Sequence, residues 1–365
     1  MMNNLIDIVV PVWNRPVESR ACLASILEHT PNARLVLVDN GSERETERML
    51  EEFAEALDVR MLLLKNRTNE GFVRAVNRGL SKAESSLVAV VRYNSQVTAQ
   101  WLDRLAGFAS EQADAGIVIP RYAPVNGRVK AYDGRLVRGS EVPVADFAAM
   151  LLRRDMLEMT GGFSEDLEGN WRCLAEFSRG AARHGFRTCV VPESLVMAAD
   201  EVRFGSLDRR KEHERRVAES FTGVWGEERS FFIHLPKGSD LDEFTPLFNV
   251  LLAAARQGDQ VRILAHPSVG RRLQKDGYAS RHSNIEVHSL PRFMAAGAVR
   301  GMTSASAGRN PVLVNWLGWV PFPGHPSAIP FDQFVEMVAI RERQVFGREL
   351  PIALPKDGGS YAEGD

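Results

Sequence analysis

Apolar positions along the first 120 residues alternate between two periods. Leu5–Val10 is a short β-rich run, and Leu23, Ile26 and Leu27 then recur at helical spacing. Arg34–Val38 predicts a second strand, 43–57 a helix, and Val59–Leu64 a third strand. Phe72, Val76 and Leu80 stand four apart, as on one face of a helix. Leu87–Val91 is almost wholly apolar, which suits a strand buried on both faces of a parallel sheet. A helix over 99–113 and a strand at Ile117–Ile119 complete the run. Repeated βα units of this length predict a doubly wound α/β sheet. Ligands of such sheets lie outside the carboxyl ends of the strands, so the chemistry belongs in loops 11–16, 39–42, 66–72 and 92–98.

The pattern is less regular over 120–225. It holds an apolar run at Met150–Leu152, a helix over 173–184 with Gly185 as its C-cap, a strand at Thr188–Val191, and a charged run at Arg209–Arg216. The α/β alternation resumes at 229–316. Phe231–Leu235 reads as a strand, and Ser239 can cap a helix whose stripe is Leu241, Phe244, Leu247, Phe248, Leu251 and Leu252. Val261–Ala265, Ile285–Val287 and Pro311–Asn315 read as further strands. This second region has no GxGxxG or P-loop and is expected to be a small Rossmann-like domain. The expected division is 1–225, 226–350 and a disordered tail, 351–365.

Composition narrows the function classes. In 365 residues the hydrophobic fraction is 44% and the charged fraction 25%, as in soluble globular proteins. A net charge of -2 gives no global basic field for nucleic acid, and no apolar run reaches the ~20 residues of a membrane helix. The leading segment runs directly into a strand, unlike a signal peptide. Three scattered cysteines offer neither a disulfide framework nor a CxxC metal site and fit a reducing, cytoplasmic location.

Three strand-end loops carry the chemistry: Pro11-Val-Trp-Asn-Arg-Pro16, Val38-Asp-Asn-Gly-Ser42, and Arg67-Thr-Asn-Glu-Gly-Phe72 continuing to Ala75, Asn77, Gly79 and Leu80. In this order and spacing they resemble the family 2 glycosyltransferases of the GT-A fold. The likeness covers about residues 5–200, continuing weakly through Gly161-Gly-Phe163 and Gly185-Phe186. The resemblance implies a GT-A-like doubly wound mixed sheet followed by a smaller Rossmann-like domain. It implies a nucleotide-diphosphate sugar donor of the UDP or dTDP type and a glycan, lipid-linked or small acceptor. Asp39 would accept a hydrogen bond from the base, with Asn40 beside it, and Pro11, Trp13 and Asn14 would line base and ribose. Arg15 and Arg67 would face the diphosphate. Asn69, Gly71 and Phe72 sit at a helix N-terminus suited to an anion. Asp39-Asn-Gly-Ser42 also makes a good turn and helix cap without any ligand.

The sequence departs from the family at three places. A DxD-type motif should hold a divalent cation against the diphosphate; its positions read Arg92-Tyr93-Asn94-Ser95. Mg²⁺ or Mn²⁺ is therefore doubtful, and no metal ligand is assigned. The Glu-Asp pair that supplies the catalytic base falls on Cys173-Leu174, or on Arg172-Cys173 with a one-residue gap, and the metal-binding His falls on Ala198. Two readings remain open. One is an inverting, metal-independent transferase in which Arg92 replaces the cation, Asn94 lines the donor site, and Glu176 or Glu168 acts as base. The other is a catalytically inactive homologue that binds nucleotide or assembles with a protein partner through its C-terminal domain. The bland readings are that Arg92 is a surface residue at a decayed site, Glu176 a solvated helix residue and Cys173 a packed thiol. In the second domain, His234, His266, His282 and His288 lack metal-ligand spacing. Leu235-Pro-Lys-Gly-Ser239 is a βα turn or a phosphate contact, and Trp316, Trp319, Phe322 and His325 either form an aromatic acceptor platform or close the domain.

Overall fold

The computed structural model describes residues 6–124, 134–169, 171–199, 207–291, 295–305, 311–317 and 320–350. The chain forms two compact units. The first comprises residues up to Glu227 with Ala279–Ser283; the second comprises Glu228–Tyr278 and residues from Asn284 onward.

The first unit begins with β1 (Asp7–Val12), α1 (Pro16–His29), β2 (Arg34–Asp39), α2 (Arg44–Leu57), β3 (Met61–Lys65), α3 (Phe72–Leu80) and β4 (Leu87–Val91). It continues with β5 (Ser95–Val97), α4 (Trp101–Glu111), β6 (Ala115–Pro124), β7 (Ala149–Arg153), α5 (Arg154–Thr160), α6 (Arg172–Arg183), β8 (Arg187–Ala198) and α7 (Leu207–Trp225). The sheet order is β3-β2-β1-β4-β7-β6-β8-β5. Strands β3, β2, β1 and β4 are mutually parallel, whereas β7 runs antiparallel to both β4 and β6. The chain moves outward from β1 to β3 and then crosses back to β4, so strand order reverses between β1 and β4. The crevice outside the carboxyl ends of these two strands is where open α/β sheets bind ligands.

The core explains the register. Ile8, Val10, Val12, Leu35, Leu37, Ala89 and Val91 pack with Leu23, Ile26 and Trp101, all of them buried. Gly79 lets α3 lie directly on β1, because a Cβ there would stand 2.3 Å from Val9 Cγ1. Asp7 is fully buried at the start of β1 and receives Arg34 Nε and Nη2 at 2.7 and 2.9 Å, together with the Glu84 and Ser85 amides. Burial alone would raise this carboxyl. The Arg34 hydrogen bonds, the two amides and the Arg34 charge outweigh burial and hold it below its ordinary value. A lowered folded-state pKa stabilises the fold above the unfolded-state value and is lost as pH falls through the folded one. We therefore expect thermal stability to fall steeply below about pH 4 and Asp7→Asn to flatten that limb, as read by melting temperature against pH.

Several expectations change. The third strand starts at Met61 rather than Val59, because Asp58–Arg60 forms a 3-10 turn that leaves Val59 86% exposed. The polar Ser95–Val97 segment gave no strand signal; it pairs antiparallel with Val196–Ala198. β8 does not end at Val191. Residues 192–194 bulge out between the Pro120–Val191 and Arg121–Leu195 pairs, which absorbs Pro192, and pairing then continues to Ala198.

The second unit contains β9 (Ser230–Leu235), α8 (Leu241–Arg256), β10 (Gln260–Ala265), α9 (Pro267–Lys275), β11 (Ile285–Ser289), α10 (Ala295–Ala305), β12 (Pro311–Asn315), β13 (Ile329–Pro330) and α11 (Phe331–Arg341). Its sheet is parallel, in the order β11-β10-β9-β12-β13, with a reversal between β9 and β12. Phe231, Ile233 and Leu235 face the larger apolar layer, which includes Phe244, Leu251 and Phe334. The cap of α8 is Asp240, whose side chain accepts from Asp242 N; Ser239 instead donates its hydroxyl to Pro236 O. The tail expected at 351–365 and Trp319 lie outside the described residues.

Candidate functional site

The loop after β1 is bent by two consecutive non-glycine residues in the left-handed region, Asn14 at φ 56° and Arg15 at φ 59°. Such residues are uncommon, and surrounding bonds must hold them. Asn14 N donates to Ser42 Oγ at 3.0 Å, and Asn14 Oδ1 accepts from Glu43 N at 2.7 Å. The loops after β1 and β2 are thus tied together. Pro11 is buried within β1, Trp13 is half-buried and Arg15 is exposed, with Glu18 at 3.8 Å.

Asn40 joins the second loop to the third. Its amide donates to Asn69 Oδ1 at 2.9 Å and to Gly71 O at 3.0 Å; its Oδ1 accepts from Asn66 Nδ2 at 2.7 Å and Glu70 N at 3.1 Å. Two donors and two acceptor bonds use the hydrogen-bonding capacity of a carboxamide. Asn40 therefore shapes the rim and has little left for a ligand. Asn69 Oδ1 also accepts from Gly71 N. Asp39 is only 3% exposed; its Oδ1 accepts from Ser42 N, and its Oδ2 has no partner among the described residues. Gly41 adopts φ +73°, and a Cβ there would lie 2.4 Å from Thr68 C, so the two loops touch backbone to backbone. Arg67 is exposed beside them.

The start of α3 holds an anion from the protein itself. Glu168 Oε1 and Oε2 accept from Phe72 N at 2.9 Å and Val73 N at 2.7 Å. Gly71 makes room at φ +103°, since a Cβ would meet Glu168 Oε2 at 2.9 Å. Burial raises the Glu168 carboxyl, and the Val73 and Phe72 amides oppose that shift. The geometry makes Glu168 a helix cap and fills the helix terminus that the sequence reading offered to phosphate. Phe72 packs edge-on against Phe147, at the head of an aromatic row through Phe163 to Phe177. Asn77 bonds both backbone groups of Phe163, which explains the pairing of the Asn77 and Gly161-Gly-Phe163 motifs. We expect Glu168→Ala to cost about 1–2 kcal/mol of folding stability in denaturant titrations, with Glu168→Gln intermediate.

Beyond β4, Arg92 occupies the crevice side of the sheet. Its Nε donates to Asn94 Oδ1 at 2.7 Å and its Nη2 to Ala199 O at 2.9 Å. Ala198 pairs with Ser95, so Arg92 bridges the end of β4 to the end of β8. A guanidinium, a carboxamide and an alanine methyl do not fit a divalent cation, which seeks carboxylate oxygens. Among the described residues, no group of three or more His, Cys, Asp or Glu could hold a metal.

The positions where the resemblance puts the base, Cys173 and Leu174, are buried. Cys173 is buried and its thiol is pushed up to about 12, chiefly by burial and then by the Glu168 and Glu176 charges. It is a packed residue rather than a nucleophile. Glu176 is half-buried, and its Oε2 is sheltered without a hydrogen-bond partner among the described residues.

Residues 7–160 match the family model described as Glycosyl transferase family 2. This segment is similar to glycosyl transferase family 2. A relative, glycosyltransferase GlyG of Streptococcus pneumoniae serotype 4, is 30% identical over 122 residues, 33% of this chain and 40% of that protein. Glycosyltransferase AglE of Haloferax volcanii is 22% identical over 173 residues, covering 44% and 57%. The chain spans about half the length of the curated relatives it matches. Among solved structures, GalNAc-T7 with UDP, GalNAc and Mn²⁺ superposes with a TM-score of 0.50 at 16% identity, covering 75% of this chain and 55% of that one. That likeness is one of fold alone, the mixed α/β GT-A architecture. Among the described residues no helix is long and apolar enough to cross a membrane.

Proposed function

We propose that the protein transfers a sugar from a nucleotide-diphosphate donor of the UDP or dTDP type without a divalent cation, Arg92 supplying the positive charge at the diphosphate. The observation that carries this reading is the anchoring of Arg92 between Asn94 and Ala199. A preorganised cation at the site of developing charge stabilises the leaving nucleoside diphosphate without reorganisation. GalNAc-T7 holds UDP on the same fold, which supports a uracil nucleotide as the first donor to test. Asp39 Oδ2 receives the base, Pro11, Trp13 and Asn14 line base and ribose, and Arg15 and Arg67 approach the phosphates. With Glu168 engaged as a cap, Glu176 is the carboxylate left to take the acceptor proton, giving direct displacement with inversion. The acceptor is a glycan, a lipid-linked sugar or a small molecule, and the location is cytoplasmic.

A second reading is favoured by Cys173 and Leu174, both buried where a carboxylate base is expected. On it, the protein binds nucleotide without catalysis, and a protein partner docks on the C-terminal unit. Calorimetric titration with UDP, dTDP and GDP, each with Mn²⁺ and with EDTA, tests the donor site. Binding that survives EDTA supports the metal-free site, and no binding in any condition overturns it. Turnover of the bound donor's sugar nucleotide, lost in Glu176→Gln, separates the transferase from the inactive homologue.

A further inference from the structure

Helices α1 and α2 cover the sheet face opposite α3, and an open cleft of about 710 Å³ separates their N-terminal parts. Neighbouring helices ordinarily bury the stripe between them. Here α1 presents Ala21 and Ala24 to the cleft, side chains too short to fill it, and Val17 beside them is 76% exposed. Met49 of α2 closes the floor. The polar wall is rich in arginine. Arg44 and Arg48 stand one turn apart on α2, so they share a side of that helix, and Arg20 lines the cleft from α1. Arg44 and Arg48 are exposed, and neither makes a hydrogen bond or an ion pair among the described residues. Arg20 reaches Glu52 at 3.4 Å, with both side chains more than half exposed, and such a pair is weak and readily exchanged. Glu45 is the other carboxylate of the wall, so three guanidinium groups stand against two carboxylates.

The volume lies within the ordinary range of small-molecule sites, about 300–1,000 Å³, and the lining sets the chemistry. Guanidinium groups bind phosphate through paired N–H donors, and two of them one turn apart suit a group with about two negative charges and three acceptor oxygens. The side chains of Val17, Ala21 and Ala24 offer neither donor nor acceptor, so the rest of the ligand is hydrocarbon. Neither an aromatic ring nor a carboxamide is among the lining residues, so nothing there reads a nucleobase. None of the residues assigned to the donor crevice lines the cleft.

We propose that the α1–α2 cleft of the first unit binds a phosphomonoester with a hydrocarbon tail, Arg44, Arg48 and Arg20 holding the phosphate and Val17, Ala21, Ala24 and Met49 the tail. The site is separate from the donor crevice and does not depend on how that crevice is read. Calorimetric titration of the full chain with octyl phosphate below its micelle concentration tests it, with inorganic phosphate and octyl glucoside as comparisons. The expected result is saturable binding of octyl phosphate, at least tenfold tighter than either comparison and undiminished by UDP. The double variant Arg44→Ala, Arg48→Ala, made at exposed helix positions, weakens it at least tenfold. Ala24→Phe fills the cleft from an exposed position without touching a charge and has the same effect. Absence of octyl phosphate binding, equal binding of either comparison, displacement by UDP, or binding unchanged in either folded variant overturns the proposal. Vesicles separate the two sources of such a phosphate. Co-sedimentation with phosphatidic acid vesicles and not with phosphatidylcholine vesicles, lost in the double variant, assigns it to a bilayer lipid; octyl phosphate binding without vesicle binding assigns it to a soluble ester.

Discussion

Replacing Arg92 with alanine is expected to lower kcat/KM for sugar transfer by about two to three orders of magnitude, the range seen when one preorganised charge-stabilising group is removed from an active site. The mutant should keep its fold, because Arg92 is half-buried and its bonds to Asn94 and Ala199 join two loops rather than filling the core. Arg92→Lys should recover only part of the loss, since an ammonium cannot span both acceptors as the planar guanidinium does. Wild-type activity should be indifferent to EDTA. The measurement is initial rate against donor concentration for the three proteins, with and without EDTA. A requirement for Mn²⁺ in the wild type, or full activity in Arg92→Ala, would remove Arg92 from the role assigned to it.

The second large effect is expected at Asn40. Asn40→Ala removes four hydrogen bonds at once and leaves Asn66 Nδ2 without that acceptor at a buried position. Orphaned buried groups carry their desolvation cost, so a loss of about 2–4 kcal/mol in folding free energy is expected. Donor-nucleotide affinity should also fall at least tenfold, because Asn40 holds the loop after β2 against the loop that opens α3. Chemical denaturation and nucleotide titration of the same sample read the two effects. A mutant with weakened nucleotide binding and unchanged stability would instead make Asn40 a direct ligand contact.

Much of the fold was legible from local signals. The continuous apolar strands β1, β2 and β4 and the α3 stripe follow from burial on a parallel sheet, and each was placed within a few residues. The motif glycines were legible as positions and only became explicable in three dimensions: Gly79 for the Val9 methyl, Gly71 for the Glu168 carboxylate, Gly41 for the Thr68 backbone. The short strand Ser95–Val97 escaped because three polar-leaning residues carry no period. The continuation of β8 beyond Val191 escaped because Pro192 reads as a stop unless a bulge absorbs it.

By itself the sequence determined the α/β alternation in both halves, the three strand-end loops, and the lack of any carboxylate at 92–95 and 173–174, since each is written in consecutive residues. Only the tertiary structure decided what the remaining charged groups do. Glu168 reaches back 95 and 96 residues to the first amides of α3, and Arg92 reaches 107 residues ahead to Ala199. Neither partner has a sequence signature, because each is a main-chain N–H or C=O that any residue carries.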